Sequence, residues 1–263
     1  MCRLFFAQNA QPEKIEYYLR KFQLMAENGY VPDGYSRGHH DGWGMIGFKK
    51  GSVAALEKSS EDASEDFLYK KASEQILNAE CDLVISHLRK SSVGIVSDIN
   101  THPFVKKGFS FCHNGTILDY KNIPIEMEYE KLIDGATDSE RFFMFLLQHI
   151  AKQKDQSNPH SIRKGIEIAV QYINQHIDYM GLNFILTDGT NSWILRDYKE
   201  NNPIVQEKNL EKYYTLYYGE NKQNKSIVIS SEIIVDPDVV WTPFNNHELY
   251  EIGSVDSAVH IID

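Results

Sequence analysis

The feature that most constrains the fold of this chain is the order of its strand-forming and helix-forming segments. The apolar and aromatic segment CRLFFAQ at residues 2–8 predicts a strand at the start of the chain. Helical spacing of apolar residues predicts two helices in the middle, over about 138–152 and 159–178, and short strands follow from about residue 181. Strands at both ends with helices between them predict an α+β fold. The sequence shows no long linker and no repeat, so a single domain over residues 2–263 is expected.

The composition argues against several classes of protein. With the 16 glycines included, apolar residues make up about 48% of the 263 residues, which is typical of a globular protein and not of a disordered chain. The 27 Lys and Arg residues against 37 Asp and Glu residues give a net charge of −10, which argues against a general nucleic-acid binder. No apolar run approaches the roughly 18 residues of a membrane-spanning helix, and the N-terminal segment lacks the pattern of a secretory signal. A cytoplasmic protein without a nucleic-acid or membrane partner is therefore expected.

The cysteines point to chemistry and not to a scaffold. Cys2, Cys81 and Cys112 are odd in number and lack C-x-x-C spacing, so neither a disulfide framework nor a structural zinc site is expected. Removal of Met1 is expected because the next residue is small. Cys2 would then carry its own base, since an α-amine with a reference pKa of about 7.7–8.0 is partly neutral near pH 7. The alternative is that Cys2 is simply an apolar residue that opens a strand.

Two predicted strands end in polar groups that suit a binding site. The strand at 81–88 runs into Arg89, whose planar guanidinium matches a carboxylate, although a surface arginine is the alternative. The strand at 109–113 runs into Asn114-Gly115. This pair either forms a hairpin turn or supplies an amide side chain and a close backbone N–H to an oxyanion.

Two further segments each have a structural and a functional interpretation. The sequence Thr-Asp-Ser-Glu at 137–140 has the form of a capping box that opens a helix. Asp138 lies inside the box and is also able to accept a hydrogen bond from an ammonium group. His102 precedes Pro103, which restricts its backbone, and by itself this position favours a structural histidine.

The loop at 28–42 contains His39, His40 and Asp41, which raises the question of a metal site. Adjacent residues on an extended chain point to opposite faces, so the two histidines are poor co-ligands. A loop packed near the functional site is the favoured interpretation, and no metal or other cofactor is expected.

Together these segments resemble a class II glutamine amidotransferase domain of the small stand-alone type, which is an N-terminal-nucleophile hydrolase. The resemblance spans essentially the whole chain. It is carried by Cys2, His-x-Arg-x-x-Ser-x-Gly from His87, Asn-x-His-Pro from Asn100, His-Asn-Gly from His113 and Thr-Asp-Ser-Glu from Thr137. It implies a four-layer αββα sandwich with two antiparallel sheets between helical layers.

The resemblance also implies a mechanism. Cys2 attacks the γ-amide carbonyl of glutamine, with its α-amine as the base, and a γ-glutamyl thioester is hydrolysed to glutamate after ammonia leaves. The Asn114 side chain and the Gly115 backbone N–H hold the oxyanion. Arg89 binds the α-carboxylate of the substrate, and Asp138 binds its α-ammonium group.

The family places two more residues at the pocket, and this chain departs from the family at two places. By the resemblance, Ser92 lies near the substrate carboxylate and His102 lines the pocket. The larger synthases have an aromatic residue where this chain has Lys90, and an arginine in the early loop where this chain has His-His-Asp at 39–41. These departures concern how the pocket closes and which substrate it takes.

The resemblance leaves three functions open. The chain is a glutamine-hydrolysing amidotransferase that passes ammonia to a separate acceptor protein, a hydrolase of another γ-glutamyl amide or peptide-like compound, or a non-catalytic binding protein of the same fold. The last is the least favoured, because every catalytic position is filled.

Overall fold

Two antiparallel sheets form the centre of the protein. The computed structural model describes residues 2–153, 155, 158–200, 210–221, 223–253 and 259–261. The strands are β1 (Arg3–Gln8), β2 (Trp43–Lys49), β3 (Ser52–Ser59), β4 (Leu83–Leu88), β5 (Phe104–Lys106), β6 (Phe109–Ile117), β7 (Tyr179–Thr187), β8 (Ser192–Arg196), β9 (Tyr217–Asn221), β10 (Ser226–Ser230), β11 (Val240–Pro243), β12 (Glu248–Ile252) and β13 (Val259–Ile261). The strand order is β11-β9-β10-β1-β4-β2-β3 in the first sheet and β13-β12-β8-β7-β6-β5 in the second, and these pairings are antiparallel.

Helices cover the outer face of each sheet. They are α1 (Pro12–Gln23), α2 (Met25–Asn28), α3 (Phe67–Asn78), α4 (Met127–Glu130), α5 (Asp138–Ala151), α6 (Pro159–His176) and α7 (Leu210–Tyr214). Phe22 of α1 and Ile76 of α3 belong to one buried cluster with the first sheet. Phe142 of α5 and Ile166 of α6 belong to another with the second sheet. None of the helices in the described part of the chain is long and apolar enough to cross a membrane.

A third buried cluster fills the space between the two sheets. It includes Phe6 and Ile85 from the first sheet and Cys112 and Ile185 from the second. The order of layers is therefore helix, sheet, sheet, helix. This confirms the α+β class and the αββα sandwich that the resemblance implied.

The first strand of the chain lies in the middle of the seven-stranded sheet. β1 pairs with β10 on one side and with β4 on the other, and Arg3 lies opposite Leu88. Continuing this register by one residue brings Cys2 beside Arg89, just past the end of β4. The sheet thus places the N-terminal residue next to the loop that follows β4.

The hairpin interpretation of Asn114-Gly115 is wrong. β6 continues through both residues, and Asn114 lies opposite Asn183 of β7. A Cβ atom on Gly115 would lie 1.8 Å from the carbonyl oxygen of Gly181, so the glycine allows two strands to approach and does not make a turn. The reason for the difference is that β6 pairs with a strand far along the sequence, which local turn signals do not report.

Candidate active site

Cys2 lies where the first strand meets the loop after β4. Only 8% of the residue is exposed. Its backbone nitrogen donates a hydrogen bond to Asn114 Oδ1 at 2.8 Å, and its Sγ lies 3.7 Å from the carbonyl oxygen of Lys90. Met1 lies outside the described residues, so its expected removal stays a prediction. If Met1 is removed, the nitrogen held by Asn114 is the free α-amine.

The electrostatics around Cys2 favour a thiolate. Burial opposes ionisation, but the positive charge at the amino terminus and the charge and hydrogen bond of His87 outweigh it and lower the pKa of the Cys2 thiol to about 6. Burial instead raises the pKa of Cys81 to about 11 and that of Cys112 well above its usual value. Since the thiolate is the nucleophilic form, Cys2 is the cysteine poised to react at neutral pH.

Asn114 carries a hydrogen-bond donor that has no acceptor. The residue is fully buried, and its Nδ2 has no hydrogen-bond partner among the described residues. Because Oδ1 accepts from the Cys2 nitrogen, the amide is oriented and its NH2 group is left as the free donor. A buried donor without a partner costs roughly 1–3 kcal/mol. A ligand oxygen beside the thiol would remove that cost.

The backbone N–H of Gly115 points to an open edge of β6. On either side of it, backbone groups of the same strand bond outside the sheet. The carbonyl of His113 lies 3.2 Å from His87 Nε2. The N–H of Ile117 donates to Asp138 Oδ2 at 2.8 Å. Backbone groups two residues apart on a strand share a direction, so the Gly115 N–H points to this same edge.

Arg89 is a buried cation whose contacts are neutral. It is 3% exposed. Its guanidinium donates to the carbonyls of Ile95 and Val93 at 3.2 and 3.3 Å and to Ser91 Oγ at 3.2 Å. These oxygens fix the guanidinium in the loop but do not neutralise its charge. The surface-arginine alternative does not match this burial, and the arrangement suits an anionic ligand.

Asp138 is a buried carboxyl at the first turn of α5. The capping of α5 is performed by Thr137, whose hydroxyl accepts from the N–H of Glu140 at 3.1 Å. Burial raises the pKa of Asp138 to about 6, and the thiolate of Cys2 adds to the increase, whereas the N–H groups of Ile117 and Ser139 oppose it. At neutral pH the Asp138 carboxyl is mostly ionised, and its negative charge interacts with that of the Cys2 thiolate.

Ser92 and His102 lie in different surroundings. Ser92 Oγ accepts a hydrogen bond from Thr116 Oγ1 at 3.0 Å, which ties the Arg89 loop to the strand that carries Asn114. His102 is 3% exposed, its two ring nitrogens have no partner among the described residues, and its ring centroid lies 4.2 Å from that of His87. Burial lowers the pKa of His102 well below its usual value, so the ring is neutral. Its surroundings resemble a core more than a pocket wall, and its substrate role stays a prediction.

The loop at 28–42 is hydrogen-bonded to the residues that follow β4. Lys90 Nζ donates to the carbonyl oxygens of Ser36 and Gly38 at 2.7 and 3.0 Å. The Asp41 carboxylate accepts from the N–H of Ser91 at 2.7 Å. The prediction that this loop packs near the site is thus matched by the contacts. Among the described residues no group of three or more His, Cys, Asp and Glu is placed to hold a metal ion, and His40 pairs with Asp62 at 2.5 Å.

A second buried arginine, which the sequence patterns did not single out, contacts the backbone of Cys2. Arg3 is 1% exposed and donates to the carbonyl oxygen of Cys2 at 3.0 Å and to Glu232 Oε1 at 2.8 Å. The same carboxylate oxygen accepts from the N–H of Tyr30 at 2.7 Å, and the guanidinium lies 4.4 Å from the ring centroid of Tyr213. A charged residue inside an apolar strand was the available signal for this cluster.

Comparisons with known proteins point to one family and one fold. A family model described as class II glutamine amidotransferases matches residues 1–212. The uncharacterized protein MJ1515 of Methanocaldococcus jannaschii is 28% identical over 273 residues, which cover 95% of this chain and 68% of that protein. A solved glutamine aminotransferase class-II domain protein from Silicibacter pomeroyi superimposes with a TM-score of 0.59 at 16% identity, over 100% of this chain and 99% of its own.

A larger enzyme contains the same fold. Glutamine phosphoribosylpyrophosphate amidotransferase from Bacillus subtilis, complexed with ADP and GMP, has a TM-score of 0.63 at 14% identity, and the match covers 99% of this chain but 49% of that protein. At these identities the two solved structures show the fold, which is that of the N-terminal-nucleophile hydrolases.

Proposed function

Because this chain belongs to the class II glutamine amidotransferases, we propose that it cleaves the γ-amide of glutamine, releasing glutamate and ammonia, with Cys2 as the nucleophile. The observation that carries the proposal is the hydrogen bond from the Cys2 nitrogen to Asn114 Oδ1, which leaves the buried Asn114 Nδ2 without a partner in a side chain that contacts Cys2. A nucleophile with an adjacent unused donor is the minimal arrangement for acyl transfer.

The reaction follows from these groups in two stages. The Cys2 thiolate attacks the amide carbon, a C–S bond forms, and the negative charge that develops on the oxygen is held by Asn114 Nδ2 and the Gly115 N–H. The C–N bond then breaks and the nitrogen leaves as ammonia, with the proton that came from the thiol. Water attacks the resulting thioester, gives its proton to the α-amine of Cys2, and releases glutamate and the thiolate.

Two buried charges define the head group that the site accepts. Arg89 supplies a fixed cation for the α-carboxylate, and Asp138 supplies a fixed anion for the α-ammonium group. Ser92, on the Arg89 loop, accepts a hydrogen bond from Thr116 of β6 and is proposed to contact the carboxylate. His102 packs against His87 and Phe104, so its contribution is proposed to be packing beneath the pocket and not proton transfer.

Removal of Met1 is part of the proposal. With Met1 attached, the nitrogen of Cys2 is an amide and not a base. The intact mass of the active protein tests this step, and full activity in protein that retains Met1 would contradict the mechanism.

The substrate is tested by assaying glutamate release from the purified full-length chain with glutamine, with γ-glutamyl amides and peptides, and with N-acetylglutamine. We expect glutamine to be cleaved and N-acetylglutamine to be cleaved at least about 30-fold less efficiently, because Asp138 loses its ammonium partner. Equal cleavage of the two would remove Asp138 from the site. Cleavage of other γ-glutamyl compounds without cleavage of glutamine would replace the proposed substrate but keep the chemistry. A separate ammonia-accepting protein is proposed as the partner, and co-purification with the native chain tests it.

A further inference from the structure

His87 is a fully buried histidine whose side chain lies on the same face of the sheet as that of Cys2, in a diagonal position across β1 and β4. It lies on β4 with no exposed surface. Its Nε2 is 3.2 Å from the carbonyl oxygen of His113, and since a carbonyl only accepts, this nitrogen carries a hydrogen. Its Nδ1 has no hydrogen-bond partner among the described residues, so in this tautomer a buried lone pair is left free on the side of the ring away from His113. The charge of His87 is one of the influences that lower the pKa of the Cys2 thiol.

The sheet register brings the side chains of His87 and Cys2 to the same face of the first sheet. Leu4 of β1 lies opposite His87 of β4, and side chains alternate in direction along each strand. Cys2, two residues before Leu4, and Arg89, two residues after His87, therefore project to the same face. Leu4 belongs to the cluster between the two sheets, so this is the face that looks toward β6.

We propose that His87 is a catalytic residue of this site, acting as a second base for the nucleophile in addition to the α-amine of Cys2. This inference rests on the proposed function, because it assigns His87 a step in that reaction. The imidazole takes the proton from Sγ and leaves the thiolate. After the C–S bond has formed, the same proton is returned to the nitrogen whose bond to carbon breaks, so that ammonia leaves and His87 is neutral again.

The two other histidines packed near His87 are held neutral by burial. From the loop before β5, the ring centroid of His102 lies 4.2 Å from that of His87, and burial lowers the pKa of His102 well below its usual value. From β6, burial lowers the pKa of His113 to about 3, and its ring nitrogens lie near Ser139 Oγ and the carbonyl oxygen of Gly181. Arg89, just past the end of β4, carries a positive charge.

The thiolate itself provides the test, without any substrate. The rate at which iodoacetamide alkylates Cys2 is measured against pH by peptide mass mapping in the native protein, in His87→Gln and in His149→Gln. His149 is a half-buried histidine on α5, packed against Phe145, and serves as the matched control. We expect His87→Gln to move the midpoint up by at least one pH unit, which lowers the alkylation rate about tenfold at about pH 5, below both midpoints, and about twofold at about pH 7. We expect His149→Gln to leave the profile unchanged.

An unchanged profile in folded His87→Gln would overturn the proposal. If His87→Gln does not fold, the imidazole nitrogens of the ¹⁵N-labelled native chain are compared with those of Cys2→Ala at pH 7. A change in the proton occupancy of His87 on loss of the sulfur supports the shared proton, and identical signals refute it. Neither measurement requires turnover, so a chain without glutaminase activity but with the alkylation shift would refute the proposed function and leave the role of His87 at Cys2 standing.

Discussion

The space between the two sheets has two ends that are equally closed to water and chemically opposite. At one end Phe6 and Ile85 are fully buried among other apolar side chains. At the other end Arg89 is 3% exposed and Asn114 is fully buried, with Cys2 between them at 8%. The apolar end is complete by itself, whereas the polar end contains a cation on neutral oxygens and an amide donor without an acceptor.

This difference indicates that stability depends mainly on the apolar end of the space between the sheets, and function on the polar end. Burial of apolar groups stabilises the folded state by about 25 cal/mol per Å². Each unsatisfied buried polar group lowers stability by roughly 1–3 kcal/mol. The same pair of strands therefore stabilises the molecule at one end and accepts a loss of stability at the other. A ligand with a carboxylate, an ammonium group and a carbonyl oxygen would supply the missing partners at the polar end.

Loss of the Cys2 thiol should have the largest effect on activity and little effect on stability. We expect Cys2→Ala to lower kcat for glutamine by roughly 10⁴-fold or more, to background, because the covalent route is lost. The melting temperature should stay within a few degrees, since the polar end contributes little stability. Cys81→Ala, in the core of the first sheet, is the control for loss of a buried thiol and should keep its kcat. Turnover by Cys2→Ala within tenfold of the native rate would exclude the thioester.

A charge-conserving change at the polar end should lower kcat/KM and leave the free energy of unfolding nearly unchanged. Arg89→Lys loses the planar fork that matches a carboxylate. Losing one partner of a desolvated pair typically costs 2–5 kcal/mol, so kcat/KM should fall about 30-fold to several thousand-fold. Ile85→Ala at the apolar end should do the reverse, lowering the free energy of unfolding by about 2–5 kcal/mol with kcat/KM nearly unchanged. Steady-state kinetics and urea unfolding of both variants would show whether the two ends are separable.

The two asparagines that face each other across β6 and β7 sharpen the comparison further. Asn114→Ala should lower kcat by about 10²–10³-fold with little change in KM, because one oxyanion donor is lost. Asn183 has its own partners, the carbonyl of Tyr214 at 2.7 Å and the N–H of Asp197 at 2.9 Å. Asn183→Ala should therefore lower the melting temperature and leave kcat of the folded protein near normal. Normal turnover by Asn114→Ala would remove the oxyanion role.

The smallest expected effect is a pH dependence of stability. The raised pKa of Asp138, about 6 against 3.8 for the free group, means that the native state binds more protons than the unfolded state between those values. Stability from this group is present below about pH 4 and is lost as pH rises toward 6, by about 3 kcal/mol at most. Asp138→Asn should flatten the melting temperature across that range. A curve identical to that of the native chain would show that burial does not raise this pKa.

The sequence patterns single out Cys2, Arg89, Asn114 and Asp138, and the structure places these four residues at one end of the space between the sheets. Their catalytic and binding roles stay predictions. The hairpin at Asn114-Gly115 was wrong, because pairing with a strand far along the chain overrode a local turn signal.

The roles of Arg3 and His87 were not predictable from residue type. Arg3 is defined by Glu232 and Tyr30, which are brought to it only when the first sheet closes. The position of His87, diagonal to Cys2 across β1 and β4, depends on the register of two strands that lie far apart in the sequence. Both arrangements arise only when distant segments of the chain come together, so local sequence patterns do not predict them.

The central position of β1 has a consequence for how the protein is made. β1 is synthesised long before its neighbour β10, which is complete only when Ser226–Ser230 have been added. At about 5–20 residues per second, β1 therefore waits on the order of 10 s or more before its sheet can close. The proposed removal of Met1 has this interval in which to occur, before Cys2 is enclosed. Under the proposed mechanism, a chain whose first sheet closed with Met1 still attached would be folded but inert.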